Sequence, residues 1–261
     1  MVAFDDWYLR GMALMLNKCI KNRLTLILIL LAFSVPACQR QTSLLSAETP
    51  PEAADLSPRP LPDSRSIQLP EPDLGGTIPL EAALAARRSV RNFHEEPLTE
   101  AQIGQLLWAA QGITHPNRYR TAPSAGALYP LEVYAATADG LFLYNPEDHS
   151  LVQILTGDPR PRLYEAALEQ APVREAPLVI VITGVYARTI AKYGKDRAPL
   201  YVHLEAGHAA QNVLLQAVAL GLGAVPIGGF YETQVKDALS LPKEQTPLYL
   251  IPVGKTDPSS K

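Results

Sequence analysis

Cysteine and methionine are missing from most of this chain. Both cysteines, Cys19 and Cys38, precede residue 40, and the three methionines, Met1, Met12 and Met15, lie within the first 15 positions. Everything after Cys38 is therefore free of sulfur. That excludes thiol nucleophiles, iron–sulfur ligation and thiolate zinc from the body of the protein. Two cysteines also cannot build a disulfide-rich scaffold. An excess of either charge is lacking too: 23 Lys plus Arg against 26 Asp plus Glu leaves a formal net charge of −3. Nucleic-acid binding, which needs a basic footprint, is not expected. Of the five histidines, His203 and His208 are five positions apart. They miss the i,i+4 spacing of a zinc-binding helix, so no metal is expected, and His208 reads as a hydrogen-bonded core residue or as a group that supports the residues of a site. A 47% hydrophobic composition is too apolar for a disordered chain.

The N-terminal part reads as a leader. Lys18, Lys21 and Arg23 form a basic segment, followed by an apolar run of twelve residues, Leu24 to Val35. A membrane span needs about 20 residues, so the run fits the apolar centre of a secretory signal. Val35-Pro36-Ala37-Cys38 resembles the lipobox of bacterial lipoproteins. That resemblance implies removal of residues 1–37, a lipid on Cys38, and a lipid-anchored place in the bacterial cell envelope, facing periplasm or exterior. An ordinary cleaved signal, or an uncleaved anchor with Cys38 incidental, is the other reading. Residues 38–76 carry Pro50, Pro51, Pro58, Pro60, Pro62, Pro70 and Pro72. Repeated prolines oppose helix and sheet pairing, so this segment reads as an extended tether.

Residues 77–256 carry the folding signals, with 257–261 a short tail. Helices are expected over 79–88, 99–111 with a Thr99/Gln102 capping box and a Gly112 stop, 160–170, 199–220 and 233–239. Strands are expected at 131–137, 141–144, 151–155, 177–183, 224–227 and 247–253, with a hairpin turn at Asp139-Gly140. Residues 112–130 form a long loop, and long loops usually have a task. The class is mixed helix and sheet without repeats.

Three segments could carry chemistry. Arg87, Arg88, Ser89 and Arg91 at a helix end could clamp a phosphate, since guanidinium groups bind it bidentately and stay charged; a solvated basic helix end is the plain alternative. Pro123, Ser124 and Ala125 open PSAGALYP, whose small residues admit a planar ligand or simply lead into a strand. Pro226, Ile227, Gly228 and Gly229 lie in GLGAVPIGGF, where unobstructed backbone N–H groups could serve an electron-rich ring atom; the alternative is a tight turn.

In this order, and with EAGHAAQN at 205–212 and PVGK at 252–255, these segments strongly resemble the nitroreductase-like flavoprotein family. The nearest branch is similar to the SagB-type dehydrogenases, which include thiazole/oxazole-forming oxidases. The resemblance implies an α+β three-layer sandwich, a central antiparallel sheet flanked by helices, and an intertwined homodimer with FMN at its interface. It implies that Arg87, Ser89 and Arg91, with Arg88 beside them and Lys255 as a further candidate, hold the phosphate or ring edge. Pro123, Ser124 and Ala125 would approach the flavin, and Pro226 to Gly229 would pass its reactive edge. Many nitroreductases carry Glu where this chain has Gly228, a departure that agrees with the SagB-type branch. The azole-forming members use a Lys–Tyr pair, which points to Lys192 and Tyr193, and burial could tune such a lysine as a base. The implied activity is two-electron transfer by a ping-pong mechanism on a small-molecule or peptide substrate. A flavin-binding lipoprotein that serves as carrier or assembly partner without turnover is the alternative.

Overall fold

The structure, a computed structural model, describes residues 65–256. The leader, Cys38 and most of the tether lie outside them. The strands are β1 Ser66–Gln68, β2 Leu131–Thr137, β3 Gly140–Asn145, β4 Ser150–Thr156, β5 Leu178–Val185, β6 Gly223–Ala224 and β7 Gln245–Gly254. The helices are α1 Leu80–Ala86, α2 Glu100–Gln111, α3 Arg160–Ala166, α4 Ala171–Glu175, α5 Tyr186–Ala219 and α6 Glu232–Leu239, with one 3-10 turn at Ala125–Ala127.

One sheet has the order β1-β4-β3-β2-β5-β7-β6, and its strand pairs are antiparallel. β5 (LVIVITGV) lies near the centre and is buried at every position, as a continuous β-branched run demands when both faces are covered. Its alternate side chains feed two cores. Ile180 and Ile182 join Leu131, Val133, Ala206, Ala209 and Val213 on the side of α2 and α5. Val179 and Val181 join Tyr134, Leu163, Val173, Val235 and Leu250 on the side of α3, α4 and α6. Each Val, Leu or Ile among them contributes about 1.5–3 kcal/mol on burial. Helices, sheet and helices thus make the three-layer α+β sandwich.

Local signals explain several boundaries. The Thr99 side chain accepts from the Gln102 N–H, and the Gln102 side chain accepts from the Thr99 N–H, which closes the capping box that starts α2. α2 ends at Gly112, whose φ and ψ of −63° and 147° are extended, and a β-carbon there would lie 2.1 Å from the Trp108 ring, so the ring's approach needs glycine. Gly140 turns the β2–β3 hairpin with φ of 152°.

Four expectations change. Residues 66–68, placed in the tether, form the edge strand β1 against β4, and Leu69 is buried in the core. The folded body therefore begins before Thr77. The long helix starts at Tyr186 rather than Pro199, and it is two helical segments joined at Gly194 with φ of 75°. Pro199 sits about one turn into the second segment. The helix expected over 160–170 ends at Ala166, where Leu168 and Glu169 take φ of 57° and 54°, and α4 follows separately. The strand expected over 224–227 is only Gly223–Ala224, with Ile227 in an isolated bridge to Leu250.

Candidate functional site

The first group of residues forms along the β6 edge. α1 ends at Arg87, whose φ and ψ of −56° and 123° turn the chain into an extended run. Ser89 then bridges Ala224 in parallel, and the Val90 N–H donates to the Ala224 carbonyl at 3.0 Å. A β-carbon on Gly223 would lie 2.7 Å from Val90 Cγ1, so this approach needs glycine. The His94 N–H donates to the Lys255 carbonyl at 2.9 Å. RRSVR, the start of GLGA and the PVGK end therefore come together.

Their cations are not equivalent. Arg88 turns back to cap its own helix, donating to the carbonyls of Ala85 at 3.0 Å and Arg87 at 2.7 Å. Lys255 is paired with Glu96. The Arg87 guanidinium has no partner among the described residues, and the nearest acceptor of Arg91 is the Ser89 carbonyl at 3.5 Å. Arg87 and Arg91 are thus available to an anion, whereas Arg88 and Lys255 are engaged.

Further along, Ile227 and Leu250 exchange backbone bonds of 2.8 and 3.0 Å before the chain leaves the sheet. Pro226 is half-buried, and Gly228 and Gly229 are exposed. The Gly229 carbonyl accepts from Gln170 Nε2 at 2.8 Å. The N–H groups of Gly228 and Gly229 have no acceptor among the described residues. A β-carbon on Gly228 would meet nothing within 4 Å, so packing within this protomer does not require the glycine.

The second group lies in the long loop. Gly126 has φ of 65°, and a β-carbon there would fall 2.7 Å from Lys192 Nζ and 2.9 Å from the Tyr193 hydroxyl. The structure therefore brings PSAGALYP and the Lys–Tyr pair together. Within this protomer Lys192 is exposed and Tyr193 half-buried. Tyr193 packs on Tyr201 with ring centroids 4.7 Å apart. Ala127 and Tyr129 also take left-handed φ, 54° and 45°, an arrangement that costs energy for residues other than glycine.

Behind this loop is a polar network that reading the sequence did not assign. The Ser124 hydroxyl accepts from the Tyr129 N–H at 2.9 Å. Gln111 Nε2 contacts Glu205 Oε1 at 3.4 Å, and Arg120 donates to Gln111 Oε1 at 3.0 Å while lying 4.6 Å from the Tyr129 ring centroid. Arg188 donates to the Tyr129 carbonyl at 3.2 Å and to Glu132 at 2.5 Å. Burial pushes the Glu205 carboxyl up to about 7, against the polar groups of Ser124 and Gln111 and the positive charges of Arg120 and Arg188. These arginines, with Tyr129 and Glu132, line a cavity of about 510 Å³. The sequence held one signal for the network: Glu205 is an acid at the head of an Ala-rich helical stretch. His208, expected in the core, is exposed; His203 instead lies 2.6 Å from the Tyr186 hydroxyl. No cluster of His, Cys, Asp and Glu suited to a metal occurs among the described residues.

No hydrogen bond or ion pair joins the β6-edge group to the loop group among the described residues.

Comparison with known proteins adds a family to this geometry. A family model described as Nitroreductase family matches residues 84–255. A protein of Methanocaldococcus jannaschii that carries a nitroreductase name is 43% identical over 199 residues, 74% of this chain and 98% of the relative. A crystal structure from Ralstonia eutropha, also carrying that name, superposes with a TM-score of 0.68 at 30% identity, covering 77% of this chain and 95% of the other. The NADPH:FMN oxidoreductase of Vibrio harveyi, solved with NAD+, gives a TM-score of 0.52 at 25% identity, covering 68% of this chain and 69% of that one.

Proposed function

The chain belongs to the nitroreductase family of oxidoreductases, and from that premise we propose that it is an FMN-dependent enzyme that moves two electrons in alternating half-reactions. One observation carries the reading: the sheet edge that presents the uncommitted guanidinium groups of Arg87 and Arg91 also presents the exposed, acceptor-free N–H groups of Gly228 and Gly229. A phosphate needs the first and an electron-rich ring edge needs the second. The donor set therefore fits FMN. Arg87, Ser89 and Arg91 would hold the phosphate end, and Gly228 and Gly229 the ring edge. Arg88 would orient the α1 end rather than bind, and Lys255 would have to leave Glu96 to take part. Bound FMN supplies the two-electron chemistry; the protein supplies binding, orientation and exclusion of water.

The loop group supplies the other wall. Pro123, Ser124 and Ala125 lie beside Lys192 and Tyr193, and the separation of this group from the β6 edge is what a homodimer would remedy, with the loop of a second copy over each edge. Exposed Leu80, Leu84, Leu200 and Leu204 on α1 and α5 are apolar surface of the kind such an interface buries. Lys192 and Tyr193 would then move a proton to or from the substrate. Gly228 in place of Glu agrees with the SagB-type branch.

The leader favours a lipid-anchored enzyme of the cell envelope. NAD(P)H is not supplied there, so the electrons would come from an organic substrate or a partner redox protein. The test is to purify the protein, supply FMN, and titrate candidate donors without oxygen. A yellow protein that bleaches with a donor is expected. A colourless protein that takes up no FMN overturns the reading, and one that holds FMN without turnover is a carrier. Finding it unlipidated in the soluble cytoplasmic fraction overturns the location.

A further inference from the structure

The cavity of about 510 Å³ beside the loop has no part in the scheme above. We propose that it is a binding site for a small organic monocarboxylate, whose charged group pairs with Arg120 and whose apolar body lies against Leu131, Leu143 and Val152. The cavity adjoins the loop that the FMN reading lays against the flavin, but the site does not rest on that reading.

The arrangement of charge selects the ligand. Three guanidinium groups and two carboxylates line the cavity. At the rim the exposed Arg118 is paired with the exposed Glu147, and further in the half-buried Arg188 is paired with Glu132. Arg120 is left over. It makes no ion pair among the described residues, and its guanidinium has a single hydrogen-bond partner there, Gln111 Oε1 at 3.0 Å. Glu205 meets the other end of that amide, 3.4 Å from Gln111 Nε2. Burial pulls the Arg120 guanidinium below its ordinary value, and this outweighs the attraction of Glu132, Glu147 and Glu205. A partly buried cation that its own chain leaves unpaired is stabilised by an anion brought from outside.

The guanidinium is also held ready. It lies 4.6 Å from the centroid of the Tyr129 ring, a face on which arginine stacks. The Arg120 backbone N–H donates to the Tyr129 hydroxyl at 3.2 Å, and Arg188 donates to the Tyr129 carbonyl at 3.2 Å. A guanidinium fixed in this way presents paired N–H groups that match the two oxygens of a carboxylate. One unpaired positive charge suits one negative charge. A phosphate dianion would face Glu132 and Glu147 with no second unpaired cation among the lining residues. Leu131, Leu143 and Val152 complete the wall and reward an apolar body, which a bare inorganic anion lacks. The volume is in the range of small-molecule pockets, about 300–1,000 Å³.

Isothermal titration calorimetry of the full-length protein tests this, with benzoate, hexanoate, benzamide and inorganic phosphate as probes, each with and without FMN. Benzoate or hexanoate is expected to bind saturably, with an affinity that FMN changes by less than about threefold. Benzamide and inorganic phosphate should bind about tenfold more weakly or not at all, because the charge or the apolar body is missing. R120Q should lower carboxylate affinity by about tenfold or more, and R118Q, at the rim, by less than about threefold. L143W fills the cavity and leaves Arg120 in place, so it should abolish binding, and it keeps the test decisive if R120Q fails to fold. No saturable binding of either carboxylate overturns the proposal, as does affinity unchanged in R120Q or in L143W. Benzamide or inorganic phosphate binding as tightly as benzoate overturns the assignment to an organic acid. Benzoate binding that appears only with FMN puts the acid against the flavin and overturns the cavity as its site.

Discussion

The α-carbon of Gly126 faces Lys192 so closely that a β-carbon would sit 2.7 Å from Nζ, with the Tyr193 hydroxyl at 2.9 Å. Gly126→Ala therefore does two things. It strains the backbone, because φ is 65°, at a cost of about 1–2 kcal/mol. It also pushes the Lys192 and Tyr193 tips away from the loop. Melting a few degrees lower together with a larger proportional loss of turnover is expected. Tyr193→Phe separates the two effects: it should lower turnover without releasing flavin. Full activity in Tyr193→Phe would remove the hydroxyl from the chemistry.

The arginines at the end of α1 should differ in kind. Arg87→Ala removes a free guanidinium and should release FMN, at a cost of about 1.5–3 kcal/mol of a charge-assisted contact. Arg88→Ala removes a helix cap, so it should lower the melting temperature modestly and leave most of the flavin bound. Flavin content after gel filtration, measured for both variants, checks the assignment. Equal flavin loss in the two would mean that Arg88 leaves its cap to join the clamp.

That contrast marks how far the sequence could be read. RRSVR was legible as a basic segment, because the residue types and spacing are local. The engagement of Arg88 with carbonyls of its own helix, and of Lys255 with Glu96, is set by tertiary placement and leaves no local trace. The same division holds for the fold. Thr99 and Gln102 announce α2, and the β-branched run of β5 announces a buried strand, since cap and burial are written in adjacent residues. β1 is three residues among prolines, and its hydrogen bonds come from β4, more than 80 positions away in the register Gln68 to Ser150. Pro199 looked like a helix start, but the break is made by Gly194, and a proline one turn into a segment loses little bonding. The Glu205 network joins residues from 111 to 205 and could be seen only once α2, the loop and α5 were packed.

The glycines of GLGAVPIGGF should separate structural from binding roles. Gly223→Ala drives a β-carbon to 2.7 Å from Val90 Cγ1. Overpacking of this kind costs about 1–3 kcal/mol, and it should loosen the RRSVR run as well as lower the melting temperature. Gly228→Ala meets nothing within 4 Å, so its stability should match the wild type. A fall in FMN affinity of Gly228→Ala at unchanged melting temperature would then report close approach of the cofactor. Unchanged affinity would move the ring edge away from this position.

Ionised Glu205 should cost the protein stability, because its buried carboxyl holds a proton more tightly in the folded chain than in the unfolded one. Glu205 titrates at about 7 in the folded chain, above the ordinary glutamate value of about 4.3. Between these values the folded state holds a proton that the unfolded state has already lost. Stability therefore falls as pH rises from about 4.3 to about 7 and levels off above that, by an amount on the order of 3–4 kcal/mol. Glu205→Gln has no proton to lose and should lack this slope. Its stability relative to the wild type should therefore be higher at pH 8 than at pH 5. Urea unfolding of both proteins across that range checks this. Parallel stability curves would show that Glu205 does not titrate as a buried acid.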